Sequence, residues 1–349
     1  MLGTEIVEPP LDTEFEAYNG KQQYTVLEWI FTSLFVVIVV PGLIVALLIA
    51  YPIYVLPMLL VYGQWAYGVE GNTQRTGGWG ITYWGIGLWS CNRHVWSHFR
   101  EYFRAHIVRT APLPPGRNYL LCVHPHGVYV LGLVANVINN RRVFAQLFPS
   151  LTLRITTLEL NFRVPLWREI LLSQGAVSVD KDALEHVLTE TNARGEPAGN
   201  ILTLVVGAAE EFQLMEPHTM DLVLNKRRGF VKLALTTGAD LVPLITFGEN
   251  DTWRRETNGL LVDINKFLKK YLKFVIPELQ GRDGNPFMPL PAKLVTVIGA
   301  PIHVDRVENP SAEVVNSLHQ RYVEALFKLY DSYKDDFFKD RVRDMRLVK

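Results

Sequence analysis

The chain has 349 residues, and its 35 lysines and arginines are balanced by 35 aspartates and glutamates. This neutral charge excludes the strongly basic composition that is typical of nucleic-acid-binding proteins. Its two cysteines, Cys91 and Cys122, exclude a disulfide framework and a thiolate zinc site, and they suit a cytosol-facing protein. The hydrophobic fraction of 48% and the positive mean hydropathy are high for a soluble enzyme and direct attention to membrane segments.

The N-terminal part contains an acidic tail and a long uncharged run. Residues 1–28 have no basic start and no early apolar run, so we expect a disordered tail and no cleaved signal peptide. Residues 29–69 include 41 positions without a charged residue or histidine. A spanning helix needs roughly 20 residues, and Pro41, Pro52 and Pro57 interrupt the run, which favours a membrane-embedded helical hairpin or two broken spans. A buried hairpin of a soluble protein is the alternative.

Residues 70–118 are rich in aromatic and basic side chains. Six of the eight tryptophans lie within residues 29–96, and arginines lie among the aromatic residues of the segment. This mixture is typical of a membrane interface, although a surface helix packed on the core fits part of the segment equally well. The proline-rich residues 111–116 predict a linker into a catalytic domain over residues 119–349.

After residue 118, apolar runs alternate with helical segments. This alternation predicts an α/β fold, with a mixed or mainly parallel sheet that is flanked by helices. Strands are expected at residues 119–123, 151–157, 176–179, 201–206, 241–247 and 294–298. The clearest helices are expected at residues 228–237, ended by Gly238, and at residues 310–333, with Asn309 as the N-cap.

The strongest functional signal is His124-Pro-His-Gly127, which directly follows the first of these strands. Polar side chains on a turn at a strand end are where α/β proteins place their chemistry. Pro125 favours extended geometry at His124, so that His124 and His126 share a side, and Gly127 allows a turn or a close approach of a ligand. Histidine is the usual general base near neutral pH, but His-x-His is also a common pair of metal ligands.

A second apolar strand ends in Gly207-Ala-Ala-Glu210. Glu210 therefore stands just past a strand end, as His126 does, and the two side chains are expected to meet at one edge of the sheet. The alternative role for Glu210 is to stabilise a helix N-terminus. Glu210 or His218 is also a candidate third ligand for a metal, but no HExxH or histidine-rich spacing supports such a site.

Two further segments contain candidate binding residues. Lys226–Lys232 has four basic residues in seven positions at a helix start, which suits a phosphate-bearing ligand, although a solvated basic turn has the same composition. Glu249 follows the strand over residues 241–247 and is either a site carboxylate or a solvated loop residue. The chain has no Gly-x-Ser-x-Gly elbow, P-loop or Gly-x-Gly-x-x-Gly, and we expect Cys122 to be a core thiol.

These segments resemble the type-2 diacylglycerol acyltransferase family, which includes monoacylglycerol and wax-alcohol acyltransferases. The resemblance covers roughly residues 75–335. The uncharged N-terminal hairpin also lies where the family leads us to expect it. Its blocks are His124-Pro-His-Gly127, Asn161-Phe-Arg-Val-Pro165 with Arg168-Glu169, Gly207-Ala-Ala-Glu210, and Arg227 to Asn250. One local departure is Val206, where relatives often have a second glycine.

The resemblance implies an enzyme with a fold similar to that of the glycerolipid acyltransferases. It would transfer a fatty acyl group from acyl-CoA to the hydroxyl of a neutral lipid at the cytosolic face of the endoplasmic reticulum membrane. Diacylglycerol, giving triacylglycerol, is the expected acceptor, and monoacylglycerol or a long-chain alcohol is the alternative. Acyl-CoA and the lipid would be the partners, with no resident cofactor, and a lipid-droplet location and a homo-oligomer stay open.

The resemblance also implies roles for the candidate residues. The His-x4-Asp dyad of the glycerolipid acyltransferases is absent, since Tyr129 and Leu131 stand five residues after the two histidines. In this family the partner carboxylate is the glutamate that matches Glu210, so the resemblance implies His126 as the base, with His124 as the alternative, and Glu210 as its partner. The other expected site residues are His124, Pro125 and Gly127 around the reacting carbonyl, Arg227, Arg228 and Lys232 for the CoA phosphates, and Asn161 and Glu249 as further candidates. Alternatives from other classes are a metal-dependent lipid hydrolase that uses both histidines and a non-catalytic lipid-droplet scaffold.

Overall fold

The computed structural model describes residues 5–7, 42–77, 94–165, 167–255, 279–285 and 288–348. Its strands, numbered along the chain, are β1 Glu5–Val7, β2 His106–Arg109, β3 Tyr119–His124, β4 Thr152–Thr157, β5 Ala176–Ser178, β6 Asn200–Val205, β7 Asp221–Leu222, β8 Asp240–Phe247, β9 Arg254–Arg255, β10 Leu279–Gln280, β11 Val295–Ile298 and β12 Arg346–Leu347. Eight of them form the central sheet, in the order β1-β2-β11-β8-β3-β6-β4-β5.

Helices connect most of the strands. In chain order they are α1 Pro52–Gly63, α2 His94–Tyr102, α3 Leu131–Leu133, α4 Arg141–Leu147, α5 Trp167–Ser173, α6 Lys181–Thr189, α7 Ala208–Leu214, α8 Gly229–Thr237 and α9 Ala312–Phe337. Residues 42–50 are also helical, and wide helical turns follow α1 and α3. The mixed α/β architecture is the predicted one.

The centre of the sheet is parallel. β3 pairs in parallel with β6 on one side and with β8 on the other, whereas β11 is antiparallel to β8. The carboxyl ends of β8, β3 and β6 therefore lie side by side at one edge. All six strands expected from the sequence are present, each within one residue of its predicted ends, because each is a short run rich in apolar and β-branched residues between turn residues.

The core consists of a layer on each face of the sheet. Every residue of β3 is buried, which explains its unbroken apolar run. Leu120 and Cys122 point into the layer formed with α6, α8 and α9, whereas Leu121 and Val123 point into the layer formed with α4 and α5. This alternation is the two-residue period of an extended strand that is covered on both faces.

The sheet also takes strands from the segments before residue 119. β2 belongs to the segment predicted to be interfacial, and β1, within the tail predicted to be disordered, pairs with β2. Phe99 and Phe103 of that segment are buried in a third apolar cluster with Trp253, so part of its aromatic content fills the core. The remainder of the predicted tail and the tryptophans within residues 78–93 lie outside the described residues.

The two helices predicted most clearly are present. α8 ends at Gly238, whose φ of 72° is the left-handed C-cap conformation that glycine adopts without strain. α9 begins at Ala312 instead of Pro310, because the Ser311 side chain accepts the backbone N–H of Val314 and is the true N-cap. Val314, in the first turn of this helix, is 41% exposed.

The described part of the uncharged run, residues 42–69, is mainly helical. Pro57 lies inside α1, and none of the residues of this helix is buried. Tyr62 donates its hydroxyl hydrogen bond to the Glu169 carboxylate at 3.0 Å, which fixes the end of α1 against α5. Within the described ranges, no helix combines the length and the apolar character needed to cross a membrane. Residues 29–41 of the predicted hairpin lie outside the described residues.

Candidate active site

Three neighbouring strands deliver polar side chains to one edge of the sheet. The segment His124-Pro-His-Gly127 follows β3, α7 with its two glutamates follows β6, and Glu249 follows β8. The chain runs from β3 towards β6, β4 and β5 on one side and to β8 and β11 on the other. A crevice at such a switch point is where open α/β sheets bind ligands.

His126 is partly exposed at this edge. Its Nδ1 lies 2.9 Å from the carbonyl oxygen of Gly127, and because a carbonyl only accepts hydrogen bonds, Nδ1 is the nitrogen that carries the proton. The lone pair is then on Nε2. The backbone N–H of His126 donates to Oε2 of Glu211 at 2.9 Å, which holds the main chain of the turn. His126 therefore has the tautomer that a general base requires.

His124 lies in a different environment from His126. It is 0% exposed, its Nε2 lies 2.9 Å from the hydroxyl oxygen of Tyr322, and its Nδ1 lies 3.9 Å from Oε1 of Glu211. The expectation that the two rings share a side is wrong, since His124 is buried beside Tyr322 whereas His126 is partly exposed at the sheet edge. Among the described residues, no group of three or more His, Cys, Asp or Glu is arranged to hold a metal ion.

The carboxylate beside the histidine segment belongs to Glu211. This side chain is 2% exposed, and its two oxygens accept the backbone N–H groups of His126 at 2.9 Å and Val223 at 3.0 Å. Glu210, the predicted partner, is half exposed and pairs with Arg227 at 2.8 Å. The carboxylate that contacts the histidine segment in this structure is thus Glu211, and the role expected of Glu210 stays a prediction. Neighbouring residues of a helix point about 100° apart, so only one of the two glutamates of α7 faces the sheet.

Glu249 lies directly beneath the turn. It is 1% exposed, and its two oxygens accept the backbone N–H groups of Leu131 at 2.6 Å and Gly132 at 2.7 Å at the start of α3. A Cβ at Gly127, where φ is 57°, would lie 2.6 Å from Cγ of Glu249, so the turn needs glycine for both conformation and space. Glu249 is therefore a buried support of the turn and not a solvated loop residue.

Burial raises the pKa of Glu249 to about 7, and its two backbone hydrogen bonds oppose this shift. The ordinary value is 4.5, so between pH 4.5 and 7 the folded chain binds this proton more tightly than the unfolded chain does. The stability from this group is complete below pH 4.5 and is lost as the pH rises to 7, by roughly 3 kcal/mol.

We expect the unfolding temperature of the wild type to fall from pH 5 to 7.5 relative to that of Glu249→Gln, because glutamine does not titrate. Thermal unfolding of the two purified proteins in detergent, across this pH range, measures the difference. Parallel pH profiles for the two proteins would contradict the shifted pKa of Glu249.

The basic segment divides into residues with different partners. Arg228 is hydrogen-bonded to Asn316 at 3.0 Å and to Nε2 of His319 at 2.8 Å, which attaches it to α9. The side chain of Arg227 reaches the start of α7, where it also donates to the carbonyl of Gly207 at 3.4 Å. Lys232 is exposed on α8. Arg227 and Lys232 are thus better placed than Arg228 to reach a phosphate.

Asn161 follows β4, two strands from β3, and its side chain donates to the Thr157 hydroxyl at 2.6 Å. It lies at the same edge of the sheet but stabilises its own turn. Glu211 and Tyr322 were not expected as site residues from the sequence. Glu211 could have been found only because it adjoins Glu210, and Tyr322 lies within the helix predicted over residues 310–333, far from any motif.

The model of the family described as diacylglycerol acyltransferase matches residues 49–348, and the chain belongs to this family. Curated relatives agree. The 2-acylglycerol O-acyltransferase 1 of Bos taurus is 36% identical over 90% of this chain and 92% of its own length. The diacylglycerol O-acyltransferase 2A of Umbelopsis ramanniana is 36% identical over 75% of each chain, and the human diacylglycerol O-acyltransferase 2-like protein 6 is 33% identical over 95% and 97%.

Among solved structures, the 1-acyl-sn-glycerophosphate acyltransferase PlsC of Thermotoga maritima is similar over 78% of this chain and 95% of its own. The sequence identity is 11% and the TM-score is 0.37, so this likeness supports no conclusion. The family assignment therefore depends on the sequence comparisons, and it confirms the resemblance that the sequence blocks predicted.

Proposed function

We propose that this chain transfers a fatty acyl group from acyl-CoA to the hydroxyl of diacylglycerol, with His126 as the general base. Membership of the diacylglycerol acyltransferase family supports the reaction class. The observation that carries the role of His126 is its hydrogen bond to the Gly127 carbonyl, which leaves the lone pair on a partly exposed Nε2. The fully buried His124 is less suited to touch a substrate.

In the proposed step, Nε2 of His126 takes the proton of the acceptor hydroxyl as its oxygen attacks the thioester carbonyl. The bond from carbon to sulfur then breaks, and the departing CoA thiolate takes the proton from the imidazolium. The backbone N–H groups of His126, Leu131 and Gly132 are committed to Glu211 and Glu249. The N–H groups of Gly127 and Val128 are therefore the donors that we assign to the developing oxyanion.

Acyl-CoA brings several phosphate charges to this edge. Arg227 and Lys232 are the cations that we assign to them, because Arg227 adjoins α7 and Lys232 is exposed on the next helix. Arg227 is held by the exposed Glu210, an ion pair of a kind worth about 1 kcal/mol or less, so a phosphate can displace the carboxylate at little cost. Acyl-CoA is a co-substrate in this proposal and no resident cofactor is needed.

The lipid acceptor is expected to arrive from a membrane. The wide helical turn that follows α1 adjoins the turn after β4, since Tyr67 donates its hydroxyl hydrogen bond to the Arg163 carbonyl at 3.2 Å. Leu158 and Leu160 on that turn are 63% and 66% exposed, and α1 also carries exposed apolar side chains. Exposed apolar side chains beside the strand ends suit a lipid leaflet. We assign the chain to the endoplasmic reticulum membrane, with the catalytic domain on the cytosolic side.

Replacing both Leu158 and Leu160 by aspartate should weaken binding of the purified protein to lipid vesicles at least about fivefold, because the apolar area is lost. Val342→Asp is a matched control, since Val342 is 69% exposed on the C-terminal segment. Vesicle flotation measures the bound fraction. Equal binding by the double variant and the control would show that this turn does not touch the membrane.

The acceptor is tested with microsomes that contain the chain, labelled acyl-CoA and one acceptor at a time. Relatives are named for acylation of both diacylglycerol and 2-acylglycerol, so monoacylglycerol is the second candidate. Labelled triacylglycerol as the main product supports the proposal. Labelled diacylglycerol as the main product would show that the acceptor is monoacylglycerol, and labelled wax ester would show that it is a long-chain alcohol. The absence of labelled ester with every acceptor would contradict acyl transfer.

A further inference from the structure

We propose that Tyr322 on the C-terminal helix is a positioning residue of the active site, which acts through the buried His124 and Glu211 to hold the main chain of His126. The inference rests on the proposed role of His126. It gives His124 a different role from the one expected from the sequence: this ring would connect the active-site turn to α9 and would not touch the substrate.

The first link is the hydrogen bond between Tyr322 and His124. Both side chains are 0% exposed, and the hydroxyl oxygen lies 2.9 Å from Nε2. Burial raises the pKa of Tyr322 well above its usual range, so the hydroxyl keeps its proton. The Cys122 thiol, the other titratable group of β3 near this oxygen, is also kept protonated by burial, which raises its pKa. The hydroxyl is thus able to donate to Nε2, and we take Tyr322 as the donor because the reverse direction would leave the Nδ1 lone pair of His124 facing the Glu211 carboxylate.

The second link follows from the first. When Nε2 accepts a hydrogen bond, the proton of a neutral imidazole is on Nδ1. Nδ1 of His124 is buried, has no hydrogen-bond partner among the described groups, and faces Oε1 of Glu211 at 3.9 Å. This separation is too long for a hydrogen bond, but it places the positive end of the N–H dipole towards a carboxylate in a region of low dielectric.

The third link is the carboxylate itself. Glu211 accepts the backbone N–H of His126 with Oε2 and that of Val223 with Oε1. Its orientation therefore decides where the turn places the imidazole of His126. The reverse tautomer of His124 would put a lone pair towards Oε1 and repel it. As a donor to Nε2, the Tyr322 hydroxyl favours the tautomer with the proton on Nδ1 and so disfavours the repulsive one.

Packing alone does not explain a tyrosine at this position. The neighbouring buried positions of α9 include Leu318, His319 and Leu326, and the ring of Tyr322 packs against Phe230 at 4.9 Å and His124 at 6.1 Å between centroids. A phenylalanine would keep these ring contacts. The hydroxyl alone adds the hydrogen bond to His124, so the proposed role belongs to that one group.

The test uses the full chain, purified in detergent, with Tyr322→Phe and the matched control Tyr330→Phe. Tyr330 lies two turns further along α9, is 1% exposed, and bonds weakly to Asp344 at 3.5 Å. We expect Tyr322→Phe to lower kcat about tenfold, as the loss of one buried hydrogen bond allows, with the KM for acyl-CoA within twofold of wild type. Tyr330→Phe should keep kcat within twofold at a similar unfolding temperature.

A double-variant cycle separates positioning from a general loss of packing. If Tyr322 acts through Glu211, the combination of Tyr322→Phe with Glu211→Gln should lower kcat little more than Glu211→Gln alone. Two outcomes overturn the inference: a kcat for Tyr322→Phe equal to that of the control, or fully additive losses in the double variant.

The outcomes that would contradict the proposed function differ from those that would contradict the role of Tyr322. If the wild type forms no labelled ester, or if His126→Ala keeps its kcat, the base assignment is contradicted whatever Tyr322 does. If the wild type is active, His126→Ala is inactive and Tyr322→Phe behaves as the control, only the role of Tyr322 is lost.

Discussion

Replacing His126 by alanine is expected to lower kcat for acyl transfer by about a hundredfold to ten-thousandfold, the usual worth of a positioned general base. The neutral hydroxyl of a lipid is a weak nucleophile and must lose its proton as it attacks the thioester. Nε2 of His126 has its lone pair available for that proton, because Nδ1 is hydrogen-bonded to the Gly127 carbonyl. Alanine removes the acceptor and leaves the main chain of the turn in place.

The measurement compares purified wild type, His126→Ala and the control His98→Ala, with labelled acyl-CoA and diacylglycerol in mixed micelles. His98 lies on α2, has a side chain that is 33% exposed and pairs with Glu101, so its loss should change kcat less than twofold. Flotation with vesicles should show unchanged membrane binding for both variants, since neither residue lies on the apolar surface of α1. A kcat for His126→Ala within tenfold of wild type would contradict the assignment of His126 as the general base.

Much of the fold was predictable because the central strands are buried on both faces. β3 and β8 are buried at every position, so each is a largely apolar run that the sequence displays directly. β2 was missed for the opposite reason: it has only four residues and follows an aromatic helix, so its pattern resembles an interface. The early start predicted for α9 has a local cause, since Asn309 and Ser311 are both good caps and only geometry selects Ser311.

The positions of the site residues were predictable only to the extent that the ends of strands can be predicted from the sequence. The sequence placed His124, His126 and Glu249 at the ends of two strands, and the structure brings these ends together because β3 and β8 are adjacent and parallel. The direction in which each side chain faces was harder to predict from the sequence. Adjacent glutamates have equal chemistry, and the helix start at Ala208 decides that Glu211 faces the sheet. Tyr322 is separated from His124 by 198 positions, a distance that no local pattern spans.

The two glutamates of α7 give the sharpest comparison. Glu211→Ala should leave the backbone N–H groups of His126 and Val223 without their acceptor, and each buried unsatisfied donor costs about 1–3 kcal/mol. We therefore expect a loss of roughly 2–6 kcal/mol in the free energy of unfolding and, since the turn is no longer held, at least about a tenfold fall in kcat. Glu210→Ala removes an exposed ion pair and should cost about 1 kcal/mol or less.

Unfolding temperatures and kcat of Glu210→Ala, Glu211→Ala and Glu211→Gln separate these roles. Glutamine keeps one acceptor oxygen but presents an amide N–H₂ to the second backbone donor, so Glu211→Gln should lie between wild type and Glu211→Ala in both quantities. A stability effect alone would move the unfolding temperature and leave kcat at a permissive temperature unchanged. If Glu210→Ala loses more kcat than Glu211→Ala, the carboxylate that serves His126 in the reaction is Glu210, and α7 must then turn when the substrates bind.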